Sequence, residues 1–387
     1  AVSWWVILNV SLDIMFYTCG YLFSLLPSYK LLWGRNLTNL IRKFGFYVAA
    51  FVFSSLIYIY PINGIQYLIN GHTQVPLNLL IESLIVTIFV IYYLRSTSTF
   101  YPLKLLVYQG IGLGFISFWV VSMAIIFNLL SPTNSNIIGY ASIVIIILLF
   151  FVSYFTTRFF VIKEVILKSN KIDKDYCLVF VSDIHLGSND QNHLRRLISK
   201  VQEIKPEALL IGGDLLDSTS FQIEELNLFN DLNIPIYFIT GNHEYYLKDL
   251  DKRLAALQNY KIITLDNISV VFKNLNIIGI SDNIYHENKV KHVKSLVKKE
   301  LFNICLIHQP SIWDEVSDDV EIMLSGHTHK GQIFPFYFLV KLKFKYIYGI
   351  YQSSKSTLCV SSGAGTWGPK MRLGSFNEVI KLNLHMK

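Results

Sequence analysis

Hydrophobic positions divide the chain into two unlike parts. Before about residue 160 they run in long blocks, and after about residue 175 they come in short bursts. Five blocks, near 4–26, 44–60, 77–94, 105–130 and 137–160, are almost free of charge. A helix needs about 20 apolar residues to cross a bilayer, with about 17 as the lower limit, so each block predicts a spanning helix. The later bursts are β-rich and fall at 176–182, 208–212, 236–240, 276–280, 303–307, 320–324 and 357–361. Polar stretches near 190–203, 222–231, 247–258 and 287–301 read as helices between them. That alternation predicts an α/β sandwich. The expected organisation is an all-α membrane domain over 1–160, a linker over 161–175 and an α/β domain over 176–387.

Composition sharpens this division. The 387 residues are 52% hydrophobic and only 16% charged, where a soluble domain carries about 25% charged residues. Part of the chain is therefore expected in lipid. Residues 1–165 hold eight Lys or Arg against three acids, while the remainder holds 26 against 24. The basic excess sits in the apolar part, as in membrane-flanking loops, and argues against a face for a nucleic-acid duplex.

The loops alternate in charge. Lys30, Arg35, Arg42 and Lys43 lie in 27–43, Arg95 and Lys104 in the next charged loop, and Arg158, Lys163, Lys168, Lys171 and Lys174 beyond the fifth block. Residues 61–76 and 131–136 carry no charge. The positive-inside rule then places the N-terminus outside and the α/β domain in the cytoplasm. The first block contains Asp13 and exceeds a signal-peptide core, so a retained helix is expected. Asp13 and Glu82 within spans read as polar contacts or interfacial groups, with a transport role as the sharper alternative. Cys19, Cys177, Cys305 and Cys359 lack metal-ligand spacing and read as reduced residues.

The chemistry lies at the ends of the predicted strands. Five of them run into Asp183-Ile184-His185, Gly213-Asp214-Leu215-Leu216-Asp217, Gly241-Asn242-His243-Glu244, His308, and Gly326-His327-Thr328-His329. Open α/β sheets place their sites at this carboxyl edge. Oxygen and imidazole ligands without thiolate suit Mn²⁺, with Fe or Zn²⁺ as alternatives. Side chains in this number are too many for one ion and suit two ions about 3.5–4 Å apart.

In order and type, these clusters resemble the calcineurin-like metallophosphoesterase superfamily over residues 176–387. Gly326–Pro335, Gly363–Pro369 and Arg372 resemble its membrane-associated bacterial branch, although Lys330 stands where that branch usually has a small residue. The resemblance implies two sheets flanked by helices, an integral protein of a bacterial inner membrane and a phosphoester or phosphoanhydride hydrolase. It further implies that Asp183, His185 and His329 hold one metal, and that Asn242, His308 and His327 hold the other. Asp214 would bridge them. His243 would act on the phosphoryl group as general acid or charge stabiliser, oriented by Asp217. The branch includes enzymes that cleave UDP-diacylglucosamine, so a lipid-linked substrate is the first expectation. A hydrolase of soluble or cyclic nucleotides and a membrane sensor with an idle metal site are the alternatives. Oligomeric state is not legible.

Weaker signals fill out the reading. His193, His286 and His292 are expected in solvent. Asp282 reads as a turn carboxylate that could line the cleft, Asp190 and Asn192 as cap residues, and Arg195 and Arg196 as candidates for substrate phosphate. Residues 333–351 interleave aromatics and aliphatics with Lys341, Lys343 and Lys345. They predict an interfacial strand or hairpin against lipid headgroups, or else a core strand pair.

Overall fold

A computed structural model describes residues 35–71, 76–95, 101–131, 134–218 and 221–387. The chain divides into two compact units, Ala1–Val152 and Ser153–Lys387. The predicted first span, with Asp13 and Cys19, lies outside the described residues.

In the first unit, α1 (Arg35–Ser54) runs through a π-helical turn (Ser55–Ile59) into α2 (Tyr60–Asn70). It is followed by α3 (Pro76–Arg95), α4 (Tyr101–Leu130) and α5 (Ser135–Thr156). Three helical stretches among the described residues are long and apolar enough to cross a membrane: Phe44–Asn70, Leu106–Leu130 and Ser135–Thr156. Leu77–Tyr93 is a shorter apolar helix. The second predicted span therefore extends ten residues further than expected. Pro61 sits in the first turn of α2, where proline needs no helical hydrogen bond, and does not end the helix. Glycine brings α4 close to the π-turn: a Cβ at Gly114 would lie 2.2 Å from the Ile57 carbonyl oxygen. Small residues of this kind let membrane helices approach closely.

The second unit holds two six-stranded sheets. The strands of the first are β1 (Phe160–Ser169), β2 (Tyr176–Val181), β3 (Ala208–Gly212), β4 (Ile236–Ile239), β5 (Ile262–Thr264) and β12 (Asn377–Met386), in the order β1-β12-β2-β3-β4-β5. Those of the second are β6 (Ile268–Phe272), β7 (Leu275–Ile280), β8 (Phe302–Ile307), β9 (Ile322–Ser325), β10 (Gly349–Gln352) and β11 (Thr357–Val360), in the order β10-β11-β9-β8-β7-β6. The helices are α6 (Gln191–Ile204), α7 (Leu250–Leu257), α8 (His286–Leu296), α9 (Trp313–Val316) and α10 (Tyr337–Lys343).

Alternation along the strands builds the layers. Leu178, Phe180 and Leu210 of the first sheet share a core with Ile277, Ile304 and Leu306 of the second. Their neighbours Val179, Val181, Leu209 and Ile211 face the other way and pack with Leu194, Leu197 and Val201 of α6. Ile278, Ile280, Cys305 and Ile307 likewise pack with Val293 of α8 and with Trp313. Successive side chains of a strand point to opposite faces, so these short apolar bursts feed two cores at once.

Two expectations are corrected here. The linker expected over 161–175 contains most of β1, which pairs in parallel with β12 from Phe160–Asn377 to Ser169–Met386. It read as linker because an edge strand leaves much of its surface exposed, as Val161, Ile162 and Ile166 show. The strand or hairpin expected within 333–351 is instead a short helix, α10, between turns, with β10 at its end. Pro335 precedes the helix, and Phe338 and Leu342 fall four residues apart along it.

Candidate metal centre

Loops leaving the carboxyl ends of β2, β3 and β4 in the first sheet, and of β8 and β9 in the second, converge on one cluster. The backbone is forced into shape there. Asp183, His185, Asp214, His327 and His329 all have positive φ, between 49° and 72°. Non-glycine residues in that region cost of order 1–3 kcal/mol each and persist where the surroundings over-determine them. Two flanking glycines are required by space. A Cβ at Gly241 would lie 2.2 Å from Asp214 Oδ1, and one at Gly326 would lie 2.2 Å from Asp183 Oδ2.

Three overlapping groups bring their ligand atoms within 4.8 Å of one another: Asp183, His185 and His329; His185, Asp214 and His243; Asp214, His308 and His327. Asp214 Oδ2 is the hub. It lies 3.1 Å from His308 Nε2, 3.7 Å from His185 Nε2 and 4.0 Å from His243 Nε2. On the far side, Asp183 Oδ1 lies 3.4 Å from His329 Nε2. The Asp183 carboxylate also accepts the His327 N–H, which ties the two sheets together.

The donor set fits divalent cations. His308 Nδ1 donates to the Gly212 carbonyl at 2.9 Å, so in the neutral ring Nε2 is a bare lone pair facing a carboxylate oxygen. His185 Nε2 and His329 Nε2 face each other at 3.1 Å. Asn242 Oδ1 is buried without a hydrogen-bond partner among the described residues. Lone pairs converging like this need a positive charge between them. With no ion bound, protons supply part of that charge. Burial opposes charge on Asp214, yet His308 and His243 hold its carboxyl well below the usual range. Burial also opposes a proton on His308, but Asp214 lifts it to about 10. Burial pushes His243 down to about 4 and holds His327 and His329 well below the ordinary histidine range.

Six of the seven predicted ligands meet in these groups, Asn242 follows β4 one residue before His243, and His243 stands beside Asp214. Asp217 is placed differently from the expected partner of His243. It accepts the Ser188 N–H at 2.9 Å and the Ser188 hydroxyl at 2.5 Å, and its Oδ2 lies 3.5 Å from His185 Nδ1. Its carboxylate therefore stands behind the ring of His185, whose Nδ1 makes no hydrogen bond among the described residues. His193 is buried rather than solvated. Its Nε2–H donates to the Ala364 carbonyl at 2.7 Å, and burial pushes its pKa down to about 4. Asp190 does cap α6, accepting the His193 N–H. Arg195 bonds Asn192, and the Lys330 ammonium lies 4.5 Å from the centre of the Tyr348 ring. Among the described residues, Cys305 and Cys359 are buried and unpaired, and Cys177 is half-buried and unpaired.

Two supports escaped the sequence reading. Glu244 is fully buried and accepts N–H bonds from Asp214, Leu216 and Gly241 at 2.8–3.0 Å, which locks two ligand loops together. Arg372 is fully buried and donates to the carbonyls of Ser362 and Gly365 at 2.7 and 2.6 Å, beneath His329. Both residues appear in the quoted motifs, but only the geometry gives them roles. Around the opening, Tyr246 and Trp367 set their rings against His243, and Phe344 sets its ring edgewise against His327 at 5.1 Å.

Residues 178–331 match the family described as calcineurin-like phosphoesterase. An uncharacterized metallophosphoesterase of Campylobacter jejuni is 35% identical over 240 residues, covering 58% of this chain and 63% of that protein. A transmembrane protein with metallophosphoesterase domain from Danio rerio is 32% identical over 230 residues, covering 54% of this chain and 52% of its own. The uncharacterized protein YpbG of Bacillus subtilis is 32% identical over 217 residues, covering 52% of this chain and 78% of that one. The chain spans under two thirds of the length of the first two.

Proposed function

Because the chain belongs to the calcineurin-like phosphoesterase family, we propose that it hydrolyses a phosphoester with two divalent metal ions. We further propose a lipid-linked or membrane-associated substrate, such as a UDP-diacylglucosamine-like pyrophosphate, met at the cytoplasmic face of the membrane. Asp183, His185 and His329 would hold one ion, Asn242, His308 and His327 the other, and Asp214 both. Mn²⁺ suits this oxygen and imidazole set. The ions, when bound, supply Lewis-acid charge and lower the pKa of water.

The observation that carries the reading is the position of Asp214 Oδ2, within 3.1 Å of one histidine cluster and 3.7 Å of the other. A single carboxylate oxygen reaches both. His243 lies on the same oxygen at 4.0 Å, buried, with its Nδ1 free of hydrogen bonds among the described residues. Burial keeps its imidazole neutral. An anionic phosphate alongside favours the charged ring, so His243 can take up a proton with the substrate and pass it to the leaving oxygen. Asp217 stands behind His185, and Glu244 holds the backbone that carries Asp214.

The membrane part of the proposal is supported by the three apolar helices of the same chain and by the basic residues flanking them. The test is turnover by full-length protein with Mn²⁺, on matched lipid and water-soluble phosphodiesters and pyrophosphates. Preferential cleavage of the lipid substrates is expected. Preference for soluble nucleotides would remove the lipid part, and inactivity on every substrate with every metal would remove the hydrolase reading.

A further inference from the structure

An apolar element stands out of the second unit beside the metal centre. Phe334, Phe338, Leu339 and Leu342 are 54%, 58%, 39% and 74% exposed. They do not lie scattered. The Phe334 and Phe338 rings touch edgewise at 5.8 Å, and Phe338 and Leu342 share one face of α10 by their four-residue spacing. The other side of the helix is anchored. Val340 is buried, and Phe344, just past the helix end, packs against His327. The helix is thus held at the rim of the metal centre with its apolar face outward.

Two cations accompany that face. Lys341 and Lys343 are exposed on α10, whereas Lys345 is engaged by Asp314 at 2.8 Å. Clustered exposed aromatics and aliphatics mark an interaction surface. Apolar side chains flanked by lysines fit the boundary between acyl chains and anionic headgroups, where the apolar groups enter and the ammonium groups meet phosphate. A bilayer is also the partner that the three membrane-length apolar helices of this chain point to.

We propose that α10, with Phe334, is a peripheral docking element for an anionic lipid surface, setting the rim of the metal centre against the headgroup layer. This deepens the proposed function, since it would let an amphiphile present its phosphate without leaving the bilayer. The docking itself does not require the hydrolase reading to hold.

The test uses the full-length chain in nanodiscs whose lipids carry a diazirine on the acyl chain, with and without phosphatidylglycerol. After photolysis, adducts are mapped by peptide mass spectrometry. Adducts within 334–342 are expected. The double variant Phe338→Ser/Leu342→Ser should lower their yield at least five-fold. Lys341→Glu/Lys343→Glu should lower it at least three-fold in anionic discs and less in zwitterionic ones. Adducts confined to the apolar helices of the first unit, or a yield at 334–342 indifferent to both double variants, overturns the proposal. Hydrolysis of a chromogenic phosphodiester by the wild-type protein is measured in parallel. Labelling without hydrolysis upholds docking and counts only against the enzymatic reading, while hydrolysis without labelling sinks docking alone.

Discussion

Lys289 and Asp282 form a buried ion pair next to the metal centre, and breaking it gives a worked prediction. The ammonium lies 2.6 Å from Asp282 Oδ1, with the two side chains 7% and 3% exposed. The other carboxylate oxygen accepts from Gln309 Nε2 at 2.8 Å, one residue after the proposed ligand His308. Lys289→Met keeps the apolar stem and removes the charge, so Asp282 is left buried with a single neutral donor. Removing one partner of a buried pair costs about 3–5 kcal/mol. A unit of this size shifts its melting temperature by about 2–4 °C per kcal/mol, which gives a loss of roughly 10 °C. Adding Asp282→Asn removes the uncompensated charge and keeps an acceptor for Gln309, so the double variant should recover more than half of the loss. Thermal unfolding of the full-length protein in one detergent, across the four members of the cycle, measures this. A Lys289→Met cost below about 1 kcal/mol, or a double variant worse than the single one, would refute the reasoning.

Asp214→Ala should lose both metals by elemental analysis, because its one oxygen serves both clusters, while His243→Ala should keep metal and lose most turnover. Loss of metal in His243→Ala as complete as in Asp214→Ala would make His243 a ligand. His193 has a folded pKa near 4 against an ordinary 6.5. Its contribution is therefore full above pH 6.5 and is lost as pH falls through 4, up to about 3 kcal/mol. His193→Gln retains a donor for Ala364 and should flatten the fall in stability between pH 6.5 and 4; an unchanged slope would count against the assignment. For topology, a cysteine at exposed Asn170 should resist an impermeant reagent applied from outside, and cysteines in 71–76 and 131–136 should react. Reaction at position 170 would reverse the proposed orientation.

The strands that carry ligands were legible because buried parallel strands are short apolar runs that end abruptly in polar, glycine-flanked clusters. The apolar helices were legible because nothing in a soluble domain of this composition needs such runs. What failed was whatever depends on a distant partner. β1 is a strand because β12, more than 200 residues away, supplies its ladder, and no local pattern records that. His193 looks like a solvated helix residue until Ala364 arrives to accept its proton. Asp282 looks like a turn carboxylate until Lys289 of α8 covers it. The histidines and aspartates of the candidate cluster were legible as a group, but the neighbour of Asp217 was not, since spacing cannot say which of two neighbouring imidazoles a carboxylate will face. The stretch 333–351 has the composition of an interface in either conformation, and tertiary packing of Val340 and Phe344 decided for a helix.

The two sheets each own only part of the metal centre. Asp183, His185, Asp214 and Asn242 follow strands of the first sheet, and His308, His327 and His329 follow strands of the second. Each proposed ion would draw ligands from both, so it acts as a rivet through the sandwich as well as a reagent. Metal supply would then govern how long the protein survives in the cell as well as how fast it works. A chain starved of its ions would keep the shared core but lose that tie, and would meet proteases sooner than a loaded one.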